Sequence, residues 1–166
     1  MTELRTERLR LRRARPDDLA ALHAVFREPR AMRYWSSPPH RDEAETRDWL
    51  AGMIAADPKQ SSDFVMEYEG RVIGKAGCWR VPEIGFILHP DHWSKGLARE
   101  ALSAVIPHVF ETFPIPAILA DVDPRNDASL QLLRGLGFVE TRRAEKTWLV
   151  GKEWCDSVYL ELPRPT

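Results

Sequence analysis

The segment that most limits what this chain can fold into runs from Glu83 to Val122. Glu83 to Leu88 has the length and apolar content of a strand, and His89 and Pro90 stop it. The chain then reads HPDHWSKGLAREAL: a polar turn, a lone glycine at Gly96, and a helix whose apolar residues return every three or four places. Leu97, Ala101, Leu102, Val105, Ile106, Val109 and Phe110 form a broad stripe suited to lying on a sheet. Pro107 lacks an N–H for the helical ladder, so a kink or an early end is expected there. Ala117 to Val122 follows as a nearly continuous apolar run, the pattern of a strand covered on both faces. Strand, helix and strand in succession join by a right-handed crossover, which lays the two strands parallel in one sheet.

The remaining segments add strands around that unit. RLRLR (Arg8 to Arg12) alternates, with Leu9 and Leu11 on one side and a solvated arginine row on the other. RPDDLAALHAVF is a helix, with Pro16 near its first turn, Asp17 and Asp18 at the positive end of its dipole, and a stripe through Leu19, Leu22, Val25 and Phe26. Pro38 and Pro39 bar its continuation, and helical spacing resumes from Asp42 to Ala56. Phe64 to Tyr68 and Arg71 to Trp79 flank the turn at Glu69 and Gly70, a β-hairpin. Asn126 to Leu136 is a helix capped by Asn126 or Asp127 and ended at Gly137. Strands near Phe138 to Leu149 and Ser157 to Leu162 close the chain. The order predicts an α/β chain with a mixed sheet holding one parallel pair, and a single domain spanning 1–166.

Lys plus Arg number 24 against 25 Asp plus Glu, a balance that disfavours a nucleic-acid-coating surface and makes any anion site local. An RNA role for Arg8, Arg10, Arg12 and Arg13 rests on composition alone. Two well-separated cysteines, Cys78 and Cys155, read as the buried or inert thiols of a reduced, cytoplasmic protein. The apolar runs fall well short of the roughly 20 residues that span a bilayer, so no membrane role is expected. His89, Asp91 and His92 lack a further ligand cluster, and no metal is expected. The absence of G-x-S-x-G weighs against a hydrolase built on Cys78 or Cys155 with His108.

The helix entry at Gly96 is where chemistry is expected. A helix N-terminus presents unpaired N–H groups and about half a positive charge, which phosphate oxygens satisfy together. Gly96 permits close approach, Ala98 keeps the next turn small, and Lys95 or Arg99 can add charge at the rim. An ordinary glycine-containing turn is the plainer alternative. Neither G-x-x-x-x-G-K-[ST] nor a G-x-G-x-x-G after a first strand is present.

LHPDHWSKGLAREAL resembles the acyl-CoA signature R/Q-x-x-G-x-G/A of the GNAT superfamily of N-acetyltransferases, in the form with tryptophan first that is frequent in the ribosomal-protein N-acetyltransferase branch. Trp93 takes the first place, Gly96 and Ala98 match, and Ser94 replaces a frequent glycine. PRNDASLQLLRGLGF is similar to the second signature, N-x-x-[SA] before a helix ending in GF, and TERLRLRRARPDDLAAL resembles the branch's first strand and helix. The resemblance implies the GNAT acyl-CoA N-acyltransferase fold, a mostly antiparallel sheet with one splayed parallel pair flanked by helices. It implies acetyl-CoA as cosubstrate, with Phe86, Ile87 and Leu88 against pantetheine, and Trp93, Ser94, Lys95, Gly96, Leu97, Ala98 and Arg99 around the pyrophosphate. Asn126 and Ser129 would sit near the thioester, although a helix cap and a first-turn polar residue is their ordinary reading.

Acetyl transfer to an amine needs a neutral nucleophile, an oxyanion donor and a proton for the leaving thiolate. A backbone N–H around Leu88 is the natural oxyanion donor. The tyrosine that many members carry seven residues after the second-signature Asn is Leu133 here, which makes Ser129 the candidate proton relay. Glu83 on the splayed strand is the candidate base, with a surface glutamate or a water chain as alternatives. Tyr34 and Trp35, beside the proline turn, are the expected acceptor wall. The acceptor, a protein N-terminus or a small amine, is left open, as is the oligomeric state, a homodimer included. A non-catalytic acyl-CoA-binding module is the competing reading.

Overall fold

The computed structural model describes residues 2–166. In chain order the elements are β1 (Leu4–Arg5), β2 (Leu9–Arg12), α1 (Leu19–Phe26), α2 (Pro29–Met32), α3 (Glu43–Ala55), β3 (Ser62–Tyr68), β4 (Arg71–Arg80), β5 (Glu83–Leu88), α4 (Leu97–Thr112), β6 (Ala117–Val122), α5 (Asp127–Gly135), β7 (Val139–Val150) and β8 (Glu153–Pro163). They build one eight-stranded sheet in the order β1-β2-β3-β4-β5-β6-β8-β7. Every neighbouring pair is antiparallel except β5 with β6, the pair that the crossover through α4 makes parallel.

Side chains alternate across the strands, and each sheet face has its own core. Phe64, Met66, Ile73 and Leu88 pack with the α4 stripe and with Leu130 and Leu133 of α5. Val65, Val72 and Ile87 pack on the other face against Leu22, Val25 and Phe26 of α1 and Leu50 of α3. The hairpin between β3 and β4 turns at Glu69 and Gly70, whose φ angles of 51° and 77° are those of a type I′ turn.

Four expectations are corrected. The arginine row is paired rather than simply solvated: Arg12 is buried, forks onto Asp18 at 2.8 and 3.0 Å and reaches Glu67 at 2.8 Å. Asp18 therefore answers Arg12 across the sheet's face as well as a helix dipole. Of the two outcomes expected at Pro107, the early end does not occur: α4 runs through Pro107 to Thr112, and Pro107 and Ser103, whose carbonyl loses its helical partner, are both exposed. β6 is covered on one face only: Ile118, Ala120 and Val122 are buried, whereas Asp121 is exposed. Cys78 is core, its thiol pushed up to about 12 by burial, but Cys155 is only half-buried and borders a cavity.

Candidate active site

β5 and β6 share a single register position, Glu83 with Leu119, reinforced by the Leu119 N–H donating to the Pro82 carbonyl at 2.9 Å. Beyond it the strands part. On its other side β5 stays paired with β4, and the His89 N–H donates to the Ile73 carbonyl at 2.9 Å. Alternate residues of an antiparallel strand turn both main-chain groups to the same neighbour, so Ile87 serves β4 while Phe86 and Leu88 turn theirs toward the gap.

A cleft of about 630 Å³ fills that gap. Phe86, Ile87 and Leu88 form one wall, Asn126 and Ser129 another, and Tyr34 and Trp35 close an end. Trp93, Ser94, Gly96, Leu97, Ala98 and Arg99 line it as well; within that run Lys95 alone does not. The turn into α4 is held by the Trp93 indole, which donates to the Leu88 carbonyl at 2.8 Å. Ser94 and Gly96 are left-handed, with φ of 60° and 74°, a geometry that costs glycine nothing. Gly96 is the N-cap residue and supplies no capping side chain. Because the first intrahelical bond is that of the Glu100 N–H to the Gly96 carbonyl, the N–H groups of Leu97, Ala98 and Arg99 have no helical acceptor. The positive end of a 16-residue helix thus opens onto the cleft.

Across the cleft, the Asn126 side chain caps α5, accepting from the Ser129 N–H at 3.3 Å. That is the ordinary role foreseen for it, and it leaves Asn126 and Ser129 on the cleft wall. The Ser129 hydroxyl is half-buried and makes no hydrogen bond among the described residues. Leu133 is buried in the core, so its position offers no acid to the cleft.

A second cavity, of about 410 Å³, lies on the other side of Tyr34 and Trp35, which line both. Glu83 and Gly85 of β5 line it, along with Asp121, Asp156, Trp79 and Trp148. Glu83, exposed and without an ion-pair partner among the described residues, lines this second cavity and not the cleft that Ser129 lines. Trp148 donates its indole N–H to Asp121 at 2.9 Å. Asp123 is forked by Arg125, whose hydrogen bonds hold the carboxyl below its usual range; Arg125 also pairs with Glu153 at 2.9 Å and lies 5.4 Å from the Tyr34 ring centroid. Below Trp35, Lys75 is buried, paired with Asp63 at 2.9 Å and 6.0 Å from the indole centroid. Burial, with Glu153 next, raises the Cys155 thiol above its ordinary range, which disfavours the thiolate.

Sequence reasoning missed Asp121, Trp148 and Lys75. Asp121 and Lys75 are each a charge inside an apolar strand, a signal that was available. Four of the six tryptophans, Trp79, Trp93, Trp148 and Trp154, are exposed, and the first three border the two cavities.

The chain matches known proteins along most of its length. The family described as "Acetyltransferase (GNAT) domain" matches residues 8–139. An uncharacterized N-acetyltransferase p20 of Bacillus licheniformis is 31% identical over 148 residues, covering 83% of each chain. The [Ribosomal protein uS5]-alanine N-acetyltransferase of Escherichia coli is 32% identical over 178 aligned positions, covering 98% of this chain and 91% of its own. Among solved structures, the spermidine N-acetyltransferase of Vibrio cholerae in complex with CoA and spermine superposes with a TM-score of 0.81 at 21% identity, over 95% of this chain and 96% of that one. A glycine-launched helix beside a splayed parallel pair and a family match across both signatures lead to one conclusion: the chain belongs to the GNAT family of acetyltransferases.

Proposed function

We propose that this protein transfers acetyl from acetyl-CoA to a small cationic amine by direct attack within a ternary complex. The observation that carries this reading is the pair of cavities meeting at Tyr34 and Trp35, one of them walled by free main-chain amides and the other by carboxylates and indoles. In the first, the N–H groups from Ser94 to Ala98 hold the pyrophosphate, with Arg99 at the rim. Phe86 offers its gap-facing main-chain groups to the pantetheine amides, while the Leu88 carbonyl holds the Trp93 indole and its N–H is left for the reacting end. Asn126 and Ser129 stand by the thioester.

In the second cavity none of Glu83, Asp121 and Asp156 has an ion-pair partner among the described residues, a charge balance that favours ammonium-bearing acceptors over free amino acids with a carboxylate next to the amine. Glu83, directly or through water, takes a proton from the ammonium. The neutral nitrogen then attacks the thioester carbon, and the Leu88 N–H supports the oxyanion. As the C–N bond completes, the C–S bond breaks, and the second proton, shed by the now cationic nitrogen, is relayed by Ser129 to the departing thiolate. The relative from Vibrio cholerae, a spermidine acetyltransferase, supports the acceptor class, and the uS5-alanine relative keeps a protein N-terminus as a second arm of the test.

Free thiol released from acetyl-CoA, measured over diamines, polyamines, amino acids and N-terminal peptides, tests the reading. Turnover strongest with di- and polyamines is expected. Coenzyme binding without turnover on any amine would overturn it in favour of a non-catalytic acyl-CoA-binding module.

A further inference from the structure

We propose that Arg8, far from the cleft in sequence and outside it in space, is a positioning residue for the pyrophosphate-binding turn. This inference rests on the cofactor reading above. The Arg8 guanidinium donates from Nη1 to the Lys95 carbonyl at 2.8 Å and from Nε to Glu100 at 2.8 Å. The Arg8 backbone N–H donates to the other Glu100 oxygen at 2.8 Å, and the Thr6 hydroxyl donates to that same oxygen. Glu100 sits in the first turn of α4. Four hydrogen bonds thus tie the entry of β2 to the turn and the helix it launches.

The direction of one of those bonds gives the network its consequence. In a trans peptide the carbonyl and the following N–H point opposite ways. With the Lys95 carbonyl fixed on Arg8 at the back of the turn, the Gly96 N–H is aimed forward, where Gly96 lines the cleft and Lys95 does not. The peptide between them lies in a stretch where both Ser94 and Gly96 are left-handed. Such successive N–H groups make an anion-binding concavity only while each peptide keeps its orientation. A flipped Lys95–Gly96 peptide would present a carbonyl oxygen to the pyrophosphate. Arg8 opposes that flip. Its Nη2 lies 3.6 Å from where a Cβ on Gly96 would stand, so its positive charge backs the same site. An exposed Arg–Glu pair serving stability alone would be worth little and would give no preference among acyl donors.

The test compares acetyl-CoA with acetyl-pantetheine, which carries the same thioester and no pyrophosphate, using an amine that the wild-type protein acetylates. The readout is the ratio of kcat/KM for the two donors. In Arg8→Gln that ratio should fall about tenfold, the worth of one charge-assisted hydrogen bond, while Arg8→Lys, which keeps the charge and a donor, should retain more of it. Because a general loss of folded protein lowers both donors alike, a ratio equal to wild type in Arg8→Gln overturns the proposal. Failure of the wild-type protein itself to prefer acetyl-CoA would instead strike the cofactor reading on which the proposal rests.

Discussion

Glu83 and Lys75 show how single residues of the second cavity are held in place. Glu83 projects from the one register position where β5 and β6 still touch, so its place is fixed by the sheet and not by a loop. Replacing it with Gln should lower kcat by about a hundredfold and remove the acidic limb of the pH–rate profile, as loss of a general base does; an unaltered profile would remove Glu83 from the mechanism. Lys75 is a different case, a buried ammonium whose only ion-pair partner among the described residues is Asp63. Asp63→Asn should cost about 3–5 kcal/mol in denaturant unfolding because it strands a buried charge, whereas Lys75→Met with Asp63→Leu should restore most of that stability. Gly96, Ala98, Asn126 and Ser129 were legible in the sequence because turn and cap chemistry is local. Asp121 and Lys75 each carried a local signal, a charge inside an apolar strand, but that they share a cavity with Trp148 was not legible, since the three meet only through the pairing of strands distant in the chain.

At the scale of elements, the wall formed by α1, α3 and the proline loop depends on one hydroxyl. Thr46 of α3 is fully buried, and its Oγ1 lies 2.8 Å from His23 Nδ1 and 2.7 Å from His40 Nδ1. The hydroxyl has one proton to give, so one imidazole accepts it and the other donates. Thr46→Val should cost about 1–3 kcal/mol by leaving ring nitrogens unsatisfied, as chemical denaturation would report. Burial lowers the His40 pKa below its ordinary 6.5, and burial, followed by the charge of Lys95, lowers that of His92. The unfolded chain therefore binds protons more readily than the folded one in the range just below that value. Stability from these groups is fully present above about pH 6.5 and is lost as pH falls through the folded values, so Tm should decline across that window; a flat Tm would contradict it. The long periodic elements were readable: the α4 stripe and the bounds of β5 are as the pattern gives them. The two-residue β1 and the four-residue α2 carry too few residues for any period, and β8 begins earlier than its apolar run because pairing with β7 recruits Glu153, Trp154 and Cys155.

For the molecule as a whole, the decisive event is that one parallel pair opens. The crossover rule makes the pair legible in sequence, but the insertion of β8 between β6 and β7 is a long-range choice that no local signal encodes. The opening leaves two kinds of free main-chain group lining one cleft, the gap-side N–H groups of β5 and those of the first turn of α4. The most direct test is an NMR titration of isotope-labelled protein with CoA, following every backbone amide. The largest saturable shifts should fall on Ser94 to Ala98 and on Phe86 and Leu88. Binding that leaves those amides unmoved, or no binding at all, would contradict a pyrophosphate seated on the α4 entry.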